Sequence, residues 1–359
     1  MATIYDVAKA SGVSPKTVSR VLNGDAPVGK ETREKVEAAM ARLGYVPSNA
    51  ARMMRSNRSG LIGLITGAIS QNPDPNEPHG LPDLYIVQGI QKTMADAGKT
   101  LMIADTGGDY ARVPHLVRTF AQHRVEGLIY VADHHMEVEF DARLSNCPVI
   151  LTNCFDRRGT PCVLPDDRAC QRALVEKIVQ SGHSRIGFLT LDTSIPATVE
   201  RTKGYRDALR DAGLPFDPAL VTMGYEEGNE RDSAFLSAAI DRLLQQPGPP
   251  TVICCGNDEM ALRVYGLLRT KGIRVPEDIS VAGFDNYRAI AETLFPPLTT
   301  VNLPYLAMGQ TAADRLLTMI SGESPTEHSP TLVAGPVAWR SSVTALNSVS
   351  HLQHGRKPS

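Results

Sequence analysis

The sequence predicts an α/β protein: a small helix-turn-helix head followed by two doubly wound halves, each built on a parallel sheet. Three observations predict it. Residues 3–24 carry the cap, turn and apolar spacing of two short helices meeting at a tight turn. From Leu61 to Gly283, apolar runs of strand length alternate with amphipathic helical stretches, and the pattern restarts after Val163. The charge is divided between the two parts: of 37 basic and 39 acidic residues in the chain, residues 1–59 hold ten and five, leaving 27 and 34 for the rest.

Within the head, Thr3 can cap a first helix with Asp6 three residues on, and Ile4, Val7 and Ala8 form its apolar stripe. Gly12 supplies the permissive turn residue, Ser14 caps the second helix and Pro15 opens it. Val18, Val21 and Leu22 face inward, whereas Lys16, Ser19, Arg20 and Asn23 share the opposite face by their spacing. Arg and Lys can donate to guanine O6 and N7 and Asn can pair with adenine, so this face suits the major groove of duplex DNA. The alternative is a helical hairpin with a merely solvated polar face. It is the weaker reading, because cap, turn glycine, apolar face and polar face fall in register. The basic balance of residues 1–59 agrees with salt-sensitive phosphate contact.

A third helix is predicted over Thr32–Leu43, with Val36, Ala39, Met40 and Leu43 on one face and Gly44 as its stop. Pro47 blocks its continuation. Residues 48–59 are basic and poor in large aliphatic side chains, which reads as a linker; Asn49 to Arg55 holds good helix formers but is too short to be stable alone and could fold on DNA. Strand and helix signals then alternate: Leu61–Thr66, Leu84–Ala97, Thr100–Ala104, Val113–His123, Gly127–Val131 and Pro148–Leu151. After Val163 come Arg168–Gln180, Arg185–Thr190, Val199–Ala212, Thr251–Cys255, Glu259–Thr270 and Ile279–Gly283. Strands buried on both faces and joined by helices make parallel sheets, and a cleft between two such halves is the natural ligand site.

Other chemistry is disfavoured. The six cysteines include no CxxC pair, so buried reduced thiols are the default. No metal site is expected, since His134-His135 lacks a third ligand at helical spacing and reads, with His183, as structural or solvated. Gly60 to Gly67 lacks the Lys-Ser/Thr pair of a phosphate loop. No cofactor is expected. Without a signal peptide or an apolar run approaching ~18 residues, the expected location is the cytoplasm, with no membrane partner.

The chain resembles the LacI/GalR (lactose-repressor) family of bacterial transcription regulators. The resemblance rests on Asp6-Val-Ala, Thr17-Val-Ser-Arg-Val-Leu-Asn-Gly, Thr32-Arg-Glu-Lys-Val, Gly44-Tyr-Val-Pro47 and Ser181-Gly-His-Ser-Arg-Ile186. It continues in Arg201 with Gly204-Tyr205, Gly256-Asn-Asp258 with Ala261, Pro276-Glu-Asp-Ile-Ser-Val, Gly283-Phe-Asp285 and Pro297-Leu-Thr-Thr300. It implies a helix-turn-helix domain at 1–47, a hinge helix at 48–59 and a periplasmic-binding-protein-like core at 60–343. That core divides into an N-subdomain of about 60–163 and 301–325 and a C-subdomain of about 164–300 and 326–343. The last crossings then fall near Thr300 and residue 325, and residues 344–359 form a disordered tail.

By the same resemblance, Lys16 and Arg20 read bases, with Pro15 and Thr17 beside them, and Pro15 and Lys16 sit where the family varies its sequence choice. Thr3, Ser14, Ser19, Asn23, Thr32 and Tyr45 contact phosphates or grooves. Ala51 and Met54 match the positions from which the hinge helix enters the minor groove; Met stands where most members carry Leu, and can still wedge a base step. In the cleft, Arg201 and Asp285 match recurrent sugar-contacting positions, a fork of donors and a pair of acceptors that suit vicinal hydroxyls. Asn257, Asn153, Tyr225 and Tyr305 match further cleft positions. Local alternatives stand beside these: Asp258 and Asp285 as helix caps, Arg201 as a surface ion-pair partner, Met54 as an exposed methionine. The loop Gly67–Pro82 is longer and richer in proline than the usual segment at the cleft edge.

The expected function is a repressor of carbohydrate-utilisation genes that binds operator DNA as a homodimer and answers to a small saccharide. The alternative is a sugar-binding or sugar-processing protein without a regulatory role. The residues read as binding rather than catalytic, so no enzyme is expected. The tail from Val343 has no leucine heptad, which disfavours a tetramer through a coiled coil.

Overall fold

Parallel strands with apolar residues on both faces need helices on both sides, and the chain folds accordingly. The computed structural model describes residues 2–23, 28–46, 58–67, 82–226, 233–323 and 330–346. Two units make up the chain, Met1–Gly60 and Leu61–Ser359.

The first unit holds α1 (Ile4–Ser11), α2 (Pro15–Asn23) and α3 (Lys30–Leu43). Thr3 starts α1 through a reciprocal box: its backbone N–H donates to Asp6 Oδ2 at 2.8 Å and its Oγ1 accepts the Asp6 N–H at 3.3 Å. Gly12 ends the helix at φ 69°, a left-handed turn at which a Cβ would be strained. Ser14 Oγ then accepts the Thr17 N–H at 3.1 Å. Val7, Ala8, Val18, Val21, Val36 and Ala39 form one small buried core.

The second unit contains two sheets. The first comprises β1 (Leu61–Thr66), β2 (Thr100–Asp105), β3 (Gly127–Glu137), β4 (Val149–Phe155), β5 (Cys162–Pro165) and β11 (Thr331–Val333), in the order β11-β5-β4-β3-β1-β2. On one face α4 (Pro82–Asp96) and α11 (Tyr305–Ile320) bury Ile86, Ile90, Met308 and Leu316 against Ile62, Leu64 and Ile129. On the other, α5 (Val113–Gln122) sets Val117 and Phe120 against Ile65 and Leu128.

The second sheet comprises β6 (Ile186–Thr190), β7 (Val221–Met223), β8 (Val252–Cys255), β9 (Ser280–Asp285), β10 (Thr299–Asn302) and β12 (Val337–Ala338), in the order β12-β10-β9-β8-β6-β7. Helices α6 (Asp167–Gln180) and α7 (Pro196–Asp211) cover one face, α8 (Ser233–Leu244) and α9 (Asp258–Thr270) the other, and the short α10 (Arg288–Ala291) follows β9. Helix α8, strand β7 and helix α11 carry sequence signals that the alternation of strong apolar runs passes over.

Three expectations are corrected. The last crossing lies at 334–336 rather than near 325, because Thr331–Val333 still pairs in parallel with β5 of the first sheet before Val337 and Ala338 join β10. Its signal is weak: three residues, with Leu332 exposed. A tail starting at 344 is also too early. His183 Nε2 donates to the Thr344 carbonyl at 2.9 Å, and the Leu346 N–H donates to the Ser181 carbonyl at 2.8 Å, so the core holds these residues. Finally, Ser19 does not share the exposed face of α2, since it is 6 % exposed.

Candidate functional site

In the head, the polar side of α2 presents Lys16 and Arg20 to solvent, while Pro15 and Thr17 are half-buried. Ser14 and Thr17 face each other, Oγ to Oγ1, at 2.9 Å. Thr3 is exposed, and Thr32 and Tyr45 are half-buried, Tyr45 against the small core. Ala51, Met54 and the side chain of Asn23 lie outside the described residues.

In the second unit, the candidate cleft residues sit where parallel strands end, the edge at which open α/β sheets bind ligands. Asn153 is in β4, Asp285 closes β9, and Asn257 follows β8. A cavity of about 670 Å³ opens there, a volume suited to a small organic ligand. Asn257, Asp285 and Tyr305 line it, together with Tyr85, Asn286, Tyr287 and Asn302. Arg201 adjoins this wall from behind: its Nη1 donates to the carbonyl of Gly256, next to Asn257, at 2.6 Å. Asn153 and Tyr225 are not in the lining. Asn153 is buried with its Nδ2 donating to the Ala132 carbonyl at 3.2 Å, and Tyr225 is half-buried against the apolar cluster under α8 and α9.

How Arg201 is held follows from a helix crossing. α7 approaches α6 at Gly204, where a Cβ would stand 2.2 Å from the Arg168 carbonyl oxygen. That contact sets Arg201, one turn before Gly204, against Asp167, the residue before Arg168. Arg201 Nε donates to Asp167 Oδ1 at 2.7 Å, and its guanidinium carbon lies 3.7 Å from the centre of the Phe284 ring. His135 Nδ1 meets the other Asp167 oxygen at 2.9 Å. All three side chains are buried. Burial opposes the charge on Asp167, and the partners Arg201 and His135 outweigh it, holding the carboxyl below its usual range. Arg201 is therefore a buried, ion-paired residue rather than a surface partner.

Asp285 is pushed the other way. Burial raises its carboxyl well above the ordinary carboxylate range; Arg201 pulls it down while Asp258 and Asp167 add repulsion. Asp258 is raised to about 7, also by burial first. Its Oδ1 accepts from Thr300 Oγ1 at 2.6 Å and its Oδ2 from the Tyr287 N–H at 2.7 Å. Asn257, not Asp258, caps α9, its Oδ1 accepting the Met260 N–H at 2.8 Å. Asn153, Asp285 and Asn286 have φ of 61°, 119° and 54°, backbone strain of the kind that gathers at binding sites.

Sequence reasoning missed Asp167 and passed over His135. A signal for the first exists in the Asp166-Asp167 pair: Asp166 alone caps α6, accepting the Ala169 N–H at 2.9 Å, so the second carboxylate is available for another role.

Comparison with known proteins agrees with this architecture. Residues 3–48 match the family profile described as bacterial regulatory proteins, lacI family, and residues 175–343 match a periplasmic binding protein-like domain. The chain is 34% identical over 324 residues to the HTH-type transcriptional repressor PurR of Vibrio atlanticus, covering 89% of this chain and 92% of that protein. It is 33% identical over 326 residues to the ribose operon repressor of Escherichia coli, covering 89% and 94%. Among solved structures, the Lac repressor dimer bound to operator and the anti-inducer ONPF superimposes with a TM-score of 0.73 at 27% identity, covering 96% of this chain and 99% of that one. The transcriptional regulator CelR in complex with cellobiose gives 0.61 at 29% identity, covering 95% and 100%. A helix-turn-helix head joined to a two-sheet ligand-binding core, with relatives this similar over nine-tenths of the length, places the chain in the lacI family of bacterial regulatory proteins as a DNA-binding transcription regulator.

Proposed function

We propose that this protein is a ligand-responsive repressor whose operator affinity is changed by a small saccharide bound between the two sheets of the core. The observation that carries the reading is the juxtaposition of Arg201, Asp285 and Asn257 at one strand edge, beside a cavity of about 670 Å³. Arg201 spends Nε on Asp167 and Nη1 on Gly256, so Nη2 remains as a donor for a hydroxyl. Asp285 supplies two acceptor oxygens, Asn257 an amide Nδ2, and Tyr305 an aromatic face. That set matches vicinal hydroxyls on an apolar ring. Asn153 and Tyr225, outside the lining, are assigned to the same site on resemblance alone, as contacts made once a ligand is seated.

On the DNA side, Lys16 and Arg20 of the exposed face of α2 are assigned to base edges. Thr3, Ser14, Pro15, Thr17, Thr32 and Tyr45 flank them, and Asn23, Ala51 and Met54 complete the set by resemblance. The proposal includes a homodimer, because two half-sites need two recognition helices under a two-fold axis, and it assigns no reaction to the cleft. Linkage sets the sign of regulation: a ligand that prefers the DNA-incompatible form loosens the complex, and one that prefers the other form tightens it. Fluorescence anisotropy on DNA from the gene's own upstream region, with a panel of mono- and disaccharides and with nucleobases as controls, tests this. A complex altered by one saccharide supports the proposal. A specific complex indifferent to every saccharide but altered by a nucleobase overturns the ligand class, and the absence of any specific complex overturns the assignment of the reading helix.

A further inference from the structure

A side chain from beyond the last strand braces the cleft wall from behind, through Asn286. Arg340 follows β12, and its side chain is 18% exposed. Its Nη2 donates to Asn286 Oδ1 at 2.8 Å and its Nη1 to the Leu298 carbonyl at 2.8 Å. Its backbone is fixed as well: the Arg340 N–H donates to Thr299 Oγ1 at 2.8 Å, and that hydroxyl lies 3.0 Å from the Arg340 carbonyl. Glu292 Oε1 stands 3.5 Å from Nη2.

The target of this clamp is the turn after β9. Asp285 and Asn286 occupy φ 119° and 54°, which side chains other than glycine adopt at a cost of order 1–3 kcal/mol each. Such a pair persists only where surrounding bonds over-determine it. Here they do: the Asn286 N–H donates to Thr300 Oγ1 at 3.3 Å, Asn286 Nδ2 donates to Asn302 Oδ1 at 3.1 Å, and the next N–H, of Tyr287, donates to Asp258. Strand β10 and α9 thus hold one side of the turn and Arg340 the other.

We propose that Arg340 is a positioning residue for the ligand site: through Asn286 it fixes the strained turn that aims Asp285 into the cleft. The inference rests on the reading of Asp285 as a ligand contact. It assigns a role in binding to the segment after the last strand, which touches no ligand itself. A bidentate guanidinium is needed because the two acceptors, Asn286 Oδ1 and the Leu298 carbonyl, lie on different elements and an ammonium is a single point charge.

The test uses the full-length protein and three variants, with two readouts. Arg340→Lys keeps the charge and loses the fork. Asn286→Gly accepts the positive φ without strain and loses the side-chain clamp. Asp285→Asn changes the proposed contact alone. Amide hydrogen exchange over residues 285–288 is measured without ligand, and the affinity of each variant is measured for ribose, glucose, galactose, lactose and cellobiose. Arg340→Lys and Asn286→Gly are expected to speed exchange in the turn by about tenfold and to weaken the saccharide that binds wild type by a similar factor. The double variant should be no worse than either single one. Asp285→Asn should weaken the saccharide with exchange unchanged. Arg340→Lys that lowers the melting temperature yet leaves both turn exchange and saccharide affinity within about twofold overturns the proposal, as does full additivity with Asn286→Gly. If none of the five sugars binds wild type, or Asp285→Asn binds as wild type does, the ligand reading falls, and the exchange data alone decide whether Arg340 holds the turn.

Discussion

Arg20 and Asp285 are where single side chains carry the most consequence. Arg20 is exposed on the polar side of α2, behind a cap and a buried face that fix its direction. Replacing it with Ala should weaken the specific DNA complex by about 1–3 kcal/mol, roughly fivefold to 150-fold, and relax base preference at one position of each half-site. Competition binding with single-base operator variants checks this; a loss equal for all sequences would reduce Arg20 to a phosphate contact. Asp285 yields a pH dependence. Its carboxyl is raised by burial and by the neighbouring carboxylates Asp258 and Asp167, and a ligand that donates hydroxyls to it favours the ionised form. Affinity for the saccharide should therefore rise with pH while Asp285 deprotonates and fall as it takes up a proton, over a range displaced upward from that of an ordinary carboxylate. Asp285→Asn should bind more weakly and lose this slope, and isothermal titration at several pH values reads both.

Elements place these residues. Gly204 is the point at which α7 meets the backbone of α6, and the added methyl of Ala would fall 2.2 Å from the Arg168 carbonyl oxygen. Gly204→Ala should push the helices apart at a cost of about 1–3 kcal/mol and draw Arg201 away from Asp167, so saccharide affinity should fall together with the melting temperature. Denaturation and ligand titration on one preparation measure the two; a stability loss with normal ligand affinity would separate the crossing from the site. Much of this level was legible in advance. Periodicity and capping residues announce α1, α2, α3 and most strands, because cap, turn and apolar stripe are local properties. The short edge strand Thr331–Val333 was not, since its pairing with β5 is set by tertiary contact rather than by pattern. In the candidate site, the resemblance singled out Asn257 and Asp285, which line the cavity, and Arg201, which lies behind its wall. The clamp of Arg340 on Asn286 was not, because it joins positions 54 residues apart.

The charge of the whole molecule and the link between its two sheets set the response it can give. With the basic excess concentrated in residues 1–59, the DNA complex should lose roughly a thousandfold or more in affinity between about 50 and 200 mM salt if six or more phosphates are neutralised; a flat response would contradict phosphate contact by the head. In the core, His135 belongs to β3 of the first sheet, whereas Arg201 belongs to α7 over the second, and Asp167 binds both at 2.9 Å and 2.7 Å. The residue proposed to contact ligand, Arg201, is thus tied, through one buried carboxylate, to the opposite sheet. Any rearrangement of the sheets that a ligand favours must keep that tie or break it, and either way its energy enters the coupling between ligand and DNA. His135→Ala removes the N-side anchor while leaving the Arg201–Asp167 pair, so saccharide binding should survive within a few-fold. The factor by which the saccharide changes operator affinity should instead move by about fivefold or more, the scale of a 1 kcal/mol coupling term. Anisotropy titrations of operator at zero and saturating saccharide give that factor for both proteins. An unchanged ratio would show that His135 serves only to fill and neutralise its site, with the coupling carried by other contacts between the sheets.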